Sequence, residues 1–347
     1  MSPTAPQGPA RRSRRGFAGA RPVMDDVARR AGVSKQTVSR VLNDHPAVRP
    51  ETREAVREAM RALGYRPSRS ARSLASGRTR MLGVISFDAA RYGPAAVLAA
   101  VDAAAQKAGY LVSSIALDTA DRDTVVEAVD RLSAEGADGV IAIAPQRWVG
   151  RALTDAGLGT PLVVLDDTPA VVGDSGRGAR KATGHLLCLG HRTVHHIAGP
   201  AGWTSADLRL AAWRAALEEA GAPVPAPLAG DWSADAGYEL GRRLARRAEA
   251  TAVFVSNDQM ALGVLHALHE AGRSVPGEVS VVGYDDVPEA AHFLPPLTTV
   301  RTDFAELGTR SLRLLLDRID GAEPSPPDPP VAAELVVRRS SGPPPVR

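Results

Sequence analysis

Cysteine is almost absent from this 347-residue chain: Cys188 stands alone, so no intrachain disulfide can form and an oxidising compartment is not required. Long apolar runs are missing too. No segment approaches the roughly 20 apolar residues of a membrane-crossing helix. The first 21 residues carry arginine, proline and glycine where an export signal would carry its apolar core. The expectation is therefore a protein of the reducing cytoplasm, with no membrane contact. Also lacking are a phosphate-binding P-loop, a GxSxG nucleophile elbow and a dinucleotide fingerprint, which argues against the common enzyme classes.

What is present is an uneven charge. The whole chain is only +3, but residues 1–80 hold 18 Lys/Arg against 6 Asp/Glu, while the remainder holds 24 against 33. A basic head of +12 on an acidic body of −9 suits a module that neutralises phosphates. With 44% hydrophobic residues the chain can bury more than one core.

Residues 1–21 read as a disordered basic arm. Three short helices follow. Val27, Ala28 and Ala31 share a helical face that stops at Gly32. Ser34 is a good N-cap for Lys35–Asn43, in which Val38, Val41 and Leu42 point inward while Lys35, Gln36, Ser39 and Arg40 point away. Pro50 starts a third helix with Ala55, Val56, Ala59, Met60 and Leu63 on its buried face, ended by Gly64. Residues 68–79, basic and rich in Ser and Ala, form a hinge that is marginal as an isolated helix. Beyond residue 80, apolar strands alternate with amphipathic helices. Strands are expected at 81–86, 111–116, 139–143, 162–166, 194–198, 252–256 and 279–284. Helices between them include 97–108, 124–135 and 207–220, a βα alternation that implies parallel sheets in two lobes.

The run MDDVARRAGVSKQTVSRVLN (24–43), with Thr52, Arg53 and LGYRP (63–67), resembles the DNA-binding signature of the lactose and galactose repressor family. The resemblance continues through LGH (189–191), AGP (198–200), SNDQMALG (256–263), VSVVGYDD (279–286) and PPLTTV (295–300). SADLRLAAW (205–213) and GDWSADAGY (230–238) lie nearest the lactose-responsive branch. The implied fold is α plus α/β. A three-helix helix-turn-helix domain (22–67) and a hinge helix precede a two-lobed, type I periplasmic-binding-protein-like effector and dimerisation domain (80–339) with parallel sheets. The first lobe takes about 80–176 and 304–332, the second about 177–303 and 333–339, and residues 340–347 are left as a tail.

In a helix-turn-helix the second helix lies in the major groove, which gives base reading to Lys35, Gln36 and Arg40. Gln pairs bidentately with adenine, Arg with guanine, and Lys with guanine acceptors or phosphate. Ser34, Thr37, Ser39, Asn43 and Thr52 are backbone-positioning donors. A merely solvated helix face is the alternative. By resemblance Leu74 is the hinge wedge in the minor groove, with small Ala71 one turn earlier; a loosely packed linker leucine is the bland reading.

The resemblance also implies a sugar effector site. Arg209, Asn257 and Asp285 converge on hydroxyls, Trp232 stacks on the ring, and Pro94, Asp166 and Phe304 complete the cleft. Asp285 could instead cap a helix, and Trp232 could be a buried structural aromatic. Arg177 stands where many relatives carry an aspartate, and Phe87 and Arg91 are expected to alter the first-strand wall. The functional expectation is a repressor of sugar-utilisation genes, released from DNA by a sugar, with a galactoside favoured by GDWS and Arg209. A glucoside or sugar phosphate is the alternative, and a sugar-binding protein without DNA a remoter one. The partners are double-stranded DNA with two-fold symmetry, the sugar and a second copy in a homodimer, since no C-terminal tetramerising helix is seen. Neither a cofactor nor a metal is expected. GDSG (173–176) imitates a serine-protease loop, but that fold is antiparallel β. His195 and His196 fall on one strand and so point to opposite faces.

Overall fold

The structure, a computed structural model, describes residues 22–42, 45–65, 77–88, 90–117, 121–144, 146–157, 159–165, 174–323 and 328–346. The basic arm, most of the hinge with Ala71 and Leu74, and the site candidates Asn43 and Asp166 lie outside the described residues. The chain divides into two compact units between Thr79 and Arg80.

Among its described residues the smaller unit holds three helices, α1 (Met24–Ala31), α2 (Lys35–Leu42) and α3 (Pro50–Leu63). Asp26 reaches back to accept the Val23 N–H at 3.0 Å, and Gly32, at φ 65°, ends α1 in the left-handed conformation that suits glycine. Ser34 Oγ accepts the Thr37 N–H at 3.1 Å and so opens α2. Val27, Ala28, Val38, Val41, Val56 and Ala59 form the core, with Leu42, Met60 and Leu63 packed against it. Ala55, expected in that core, is exposed, because Val56 and Ala59 already occupy the inward stripe.

The larger unit is two α/β lobes. In the first, four parallel strands run in the order β2-β1-β3-β4, with β1 Met81–Phe87, β2 Leu111–Leu117, β3 Gly139–Ile143 and β4 Leu162–Val164. Successive strand residues point to opposite faces. Leu82 and Val84 pack with Val97, Val101, Leu312 and Leu315 from α4 (Tyr92–Lys107) and α11 (Phe304–Ile319). Ile85 and Phe87 pack with Val125, Leu132, Val149 and Leu153 from α5 (Arg122–Ala134) and α6 (Arg147–Asp155). Helix α4 starts five residues before the apolar stripe that betrayed it, since Pro94 is tolerated in a first turn.

The second lobe is a six-stranded sheet, β10-β9-β8-β7-β5-β6. Five strands are parallel, β5 His195–Ala198, β6 Leu228–Ala229, β7 Ala252–Val255, β8 Ser280–Asp285 and β9 Thr298–Thr302. The sixth, β10 Ala333–Val336, runs antiparallel to β9. Helices α7 (Ser175–Cys188) and α8 (Thr204–Glu219) cover one face through Leu186, Trp213 and Leu217. Helices α9 (Ala234–Ala245) and α10 (Asp258–Glu270) cover the other through Leu240, Leu244, Met260 and Val264.

Strands β6, β9 and β10 were not anticipated. TTVRT (298–302) is too polar to read as a strand, yet Thr298 and Thr299 are fully buried and hydrogen-bonded. The residues expected as a tail begin inside this lobe. Ser340 is fully buried, its Oγ accepting the Thr298 N–H at 2.7 Å and donating to the Val281 carbonyl at 2.6 Å. A polar, glycine-containing SSG sequence shows no hydrophobic period, so pattern reading could not detect a segment whose serines are held by hydrogen bonds. Among the described residues no helix is long and apolar enough to cross a membrane.

Candidate functional site

Carboxyl ends of parallel strands are where α/β clefts form. Between the two lobes lies a cavity of about 390 Å³. Pro94, Arg209, Trp232, Asn257, Asp285 and Phe304, six of the seven expected effector residues, all line it. They come from distant parts of the chain, brought together because β8 ends at Asp285, β7 ends just before Asn257, and α4, α8 and α11 begin at the same opening.

The polar groups lie mainly on the second lobe. Arg209, 7% exposed, donates through Nη1 to the Ser256 carbonyl, holds Asp285 Oδ1 at 3.5 Å and sits with its guanidinium carbon 3.5 Å from the Tyr284 ring centre. That planar stacking and carbonyl contact aim the fork without using its Nε, a buried donor with no partner. Burial pushes the Asp285 carboxyl up to about 6, with Arg209 opposing. Asp285 occupies φ 108°, outside the ordinary L-residue regions. Such backbone is uncommon away from working sites.

Trp232 is a cavity wall rather than a remote core residue. It too has a positive φ, 73°, and its ring lies 5.5 Å from that of Trp203, tilted by 60°. Two devices place it. Gly199 leaves the space, since a Cβ there would stand 2.2 Å from the ring. Asn257 supplies the tether, donating Nδ2 to the Trp232 carbonyl at 3.0 Å while its Oδ1 accepts the Met260 N–H at 3.0 Å and caps α10. Asn257 therefore holds the aromatic plate and the start of a helix in one geometry.

The first-lobe wall is mostly apolar, with Val97, Ile143, Leu165 and Leu307 beside Pro94, and with Tyr92 edge-on to Phe304 at 5.8 Å. Of the three residues expected to change that wall, only Arg91 lines the cavity. Phe87 is 2% exposed in the core on the opposite sheet face, because strand alternation turns it toward Val125. Arg177 points to solvent with its side chain 69% exposed and pairs with Asp174 at 3.1 Å. The acid near this helix start is Asp174, which accepts the Arg177 N–H at 3.0 Å as an N-cap.

Sequence reading missed Tyr92, Trp203, Ser205 and Gln259, all of which line the cavity. Their common signal is position at the start of a helix that follows an apolar strand. Asp258 was also missed. Fully buried, it accepts Val287 N–H at 2.9 Å and Thr299 Oγ1–H at 2.6 Å, tying α10 to the sheet beneath Asp285. Burial, reinforced by the Asp285 charge, pushes its carboxyl up to about 8.

Both strand histidines are buried. His196 stacks between Trp213 and Phe254 at 5.1 and 4.8 Å. Among the described residues no cluster of His, Cys, Asp and Glu could hold a metal.

In the small unit, Lys35, Gln36 and Arg40 are exposed on α2, and Ser39 and Thr37 are partly so. Lys35 Nζ lies 3.2 Å from Asp25, an exposed pair that costs little to break on meeting a phosphate or base. Ser34 is occupied as the α2 cap, and Thr52 is half-buried in the first turn of α3.

Residues 23–68 match the model of the lacI family of bacterial regulatory proteins, and residues 183–341 match a periplasmic binding protein-like domain. The chain is 36% identical over 303 residues to the lactose operon repressor of Escherichia coli K12, covering 85% of this chain and 84% of that protein. It is 35% identical over 337 residues to the transcriptional regulator CelR of Thermobifida fusca, covering 92% and 98%. Among solved structures, the lac repressor dimer bound to operator and the anti-inducer ONPF superposes with a TM-score of 0.84 at 34% identity. The match covers 93% of this chain and all of that one. A CelR–cellobiose complex superposes at 0.67 with 33% identity, covering 92% and 100%.

Proposed function

This chain belongs to the lacI family of bacterial regulatory proteins, DNA-binding transcriptional repressors rather than enzymes, and from that premise we propose that it is a sugar-released repressor whose effector is a galactoside. The observation that carries the reading is the Arg209–Asp285 pair beside the Trp232 plate inside an inter-lobe cavity. A forked cation and a carboxylate side by side match the donors and acceptors of neighbouring hydroxyls, and an indole matches the apolar face of a pyranose.

On DNA, Lys35, Gln36 and Arg40 read base edges, Ser34, Thr37, Ser39, Asn43 and Thr52 hold the backbone, and Ala71 and Leu74 enter the minor groove. Two copies bind a two-fold symmetric operator, because one three-helix head makes a small interface. The working compartment is the cytoplasm. By resemblance Asp166 also contacts the sugar. Effector bound between the lobes changes their relative orientation and lowers operator affinity, which requires tighter effector binding to the DNA-incompetent state.

The likeness to CelR, solved with cellobiose, favours a second reading, a β-glucoside effector at the same residues. A gel-shift titration of a cognate operator against methyl galactoside, lactose and cellobiose decides between them. Release by the galactosides supports the first reading and release by cellobiose alone the second. Unchanged operator affinity with all three removes the sugar-released mechanism.

A further inference from the structure

The turn that carries Asp285 is held by groups outside the cavity. From Tyr284 to Val287, successive residues have different partners. The Tyr284 ring is fully buried against the Arg209 guanidinium, and Asp285 pairs with Arg209. Asp286 pairs with two other arginines, and Val287 donates its N–H to Asp258 Oδ2 at 2.9 Å. Asp285 and Asp286 both have positive φ, 108° and 52°, the one adjacent pair of non-glycine residues to do so among the described residues. An aspartate tolerates the second value, but the first lies outside the ordinary regions. Backbone of this kind persists only where its surroundings over-determine it.

Asp286 supplies that constraint. Its side chain is 6% exposed and both oxygens are taken, Oδ1 accepting Arg338 Nη2–H at 2.6 Å and Oδ2 accepting Arg301 Nε–H at 2.7 Å. Arg338 also donates through Nη1 to the Leu297 carbonyl at 2.8 Å, so one guanidinium pins both ends of the connection between β8 and β9. Arg301 stands opposite Asp285 in the ladder of those strands. Two residues further on, the chain reaches Asp303, the N-cap of α11, and then Phe304 on the first-lobe wall of the cavity. An exposed ion pair contributes little. A carboxylate withdrawn from water between two guanidiniums makes strong charge-assisted bonds, and removing either charge leaves the other stranded. Asp286 is not among the residues that line the cavity, so its grip on the turn acts on the site from behind.

We propose that Asp286 is a positioning residue of the effector site: gripped by Arg301 and Arg338, it holds the turn in the conformation that presents Asp285 to Arg209 and to the sugar. The inference rests on the sugar reading of the cavity and gives Asp286 no contact with the ligand. An amide at position 286 keeps the shape but sets an N–H donor against one of the two guanidinium donors, so the grip opens on one side. Asp285 then loses the restraint on its φ of 108° and its place 3.5 Å from Arg209. The loss falls on effector binding, because α2 belongs to the other compact unit.

The test measures two affinities of the full-length protein: for operator without effector, and for the tightest binder among methyl galactoside, lactose and cellobiose. Asp286→Asn should lose about ten-fold or more in sugar affinity while operator affinity stays within about two-fold. The Arg301 side chain is 52% exposed, so its variants keep the fold. Arg301→Gln should lose several-fold in sugar affinity, and Arg301→Lys, which restores the charge, should recover most of it. Adding Arg301→Gln to Asp286→Asn should cost less than about two-fold more, since both open the same grip. A purely structural ion pair would lower the melting temperature of these variants and leave sugar affinity unmoved. Wild-type sugar affinity in Asp286→Asn overturns the proposal, as does an Arg301→Gln variant that loses nothing or whose loss lysine does not recover. Should Asp286→Asn also lose operator binding, the two Arg301 variants decide by the same criteria. If the wild type binds none of the three sugars, the sugar reading falls and this inference with it, a result distinct from a wild type and a variant that bind equally.

Discussion

Arg209 and Asp285 meet at 3.5 Å inside the inter-lobe cavity, each less than a tenth exposed. Burial raises the Asp285 carboxyl to about 6 and Arg209 restrains the rise. A raised carboxyl stabilises the free fold most fully below pH 3.8 and loses that contribution as pH climbs through about 6. Binding a sugar through an ionised Asp285 runs the other way. Effector affinity should be level above pH 7 and fall toward ten-fold per unit below about pH 6. Tryptophan fluorescence titrations between pH 5 and 8 measure this. Asp285→Asn should bind weakly with a flat profile, and an affinity that rises with acidity would show that Asp285 does not act as a charged acceptor.

Gly199 exists for Trp232. A Cβ at position 199 would stand 2.2 Å from the indole, and the ring must move, because overpacking of this kind costs about 1–3 kcal/mol. Gly199→Ala should lower effector affinity at least ten-fold while effector-free operator binding persists. Unchanged effector affinity in that variant, with the protein folded, would remove Trp232 from the site.

His196 sets an acid limit on stability. Buried completely between Trp213 and Phe254, its imidazole is pushed down to about 4 by desolvation, and its Nδ1 lies 2.9 Å from the Phe254 carbonyl. The unfolded chain takes up a proton below about pH 6.5, so stability present above that pH is lost as the pH falls toward 4, by about 3 kcal/mol in full. Asp258 and Asp285, both raised, gain stability over part of the same descent. The informative quantity is therefore the difference between wild type and His196→Gln. Calorimetry from pH 7.5 to 4.5 should show a shallower acid loss in the variant; parallel curves would mean that His196 is protonated in the fold.

Ser340 should be needed for the second lobe. Ser340→Val leaves the Thr298 N–H and the Val281 carbonyl without the partners they now have at 2.7 and 2.6 Å. Stranded backbone groups cost about 1–3 kcal/mol each, so the melting temperature should drop by several degrees. Deletion from Arg339 onward should cost more, since it also removes Gly342, whose carbonyl lies 3.0 Å from His191 Nε2. A deletion variant that melts like wild type would make the segment dispensable.

Local pattern settled much of this protein. Continuous apolar runs located seven of the ten described strands, because a parallel strand covered on both faces is apolar on both. The three it missed are short or polar, and a run such as Thr298–Thr302 is held by partners the local sequence does not display. Glycine stops, Ser34 and the apolar stripes defined the three-helix head, whose exposed face is what remains once Val38 and Val41 turn inward. The resemblance supplied six residues that line one cavity, and only folding could place Arg91 on its wall while turning Phe87 and Arg177 away. A residue's type and spacing are local properties. Which face of a sheet it meets, whether its amide is already spent on a neighbour, and whether burial moves its charge depend on groups far away in the chain. Asn257, Asp258 and Asp285 show the difference: their identities were legible in SNDQ and GYDD, but their division into tether, buried strut and partner of Arg209 was decided by the tertiary structure, which alone determines what each carboxylate and amide faces once water is removed.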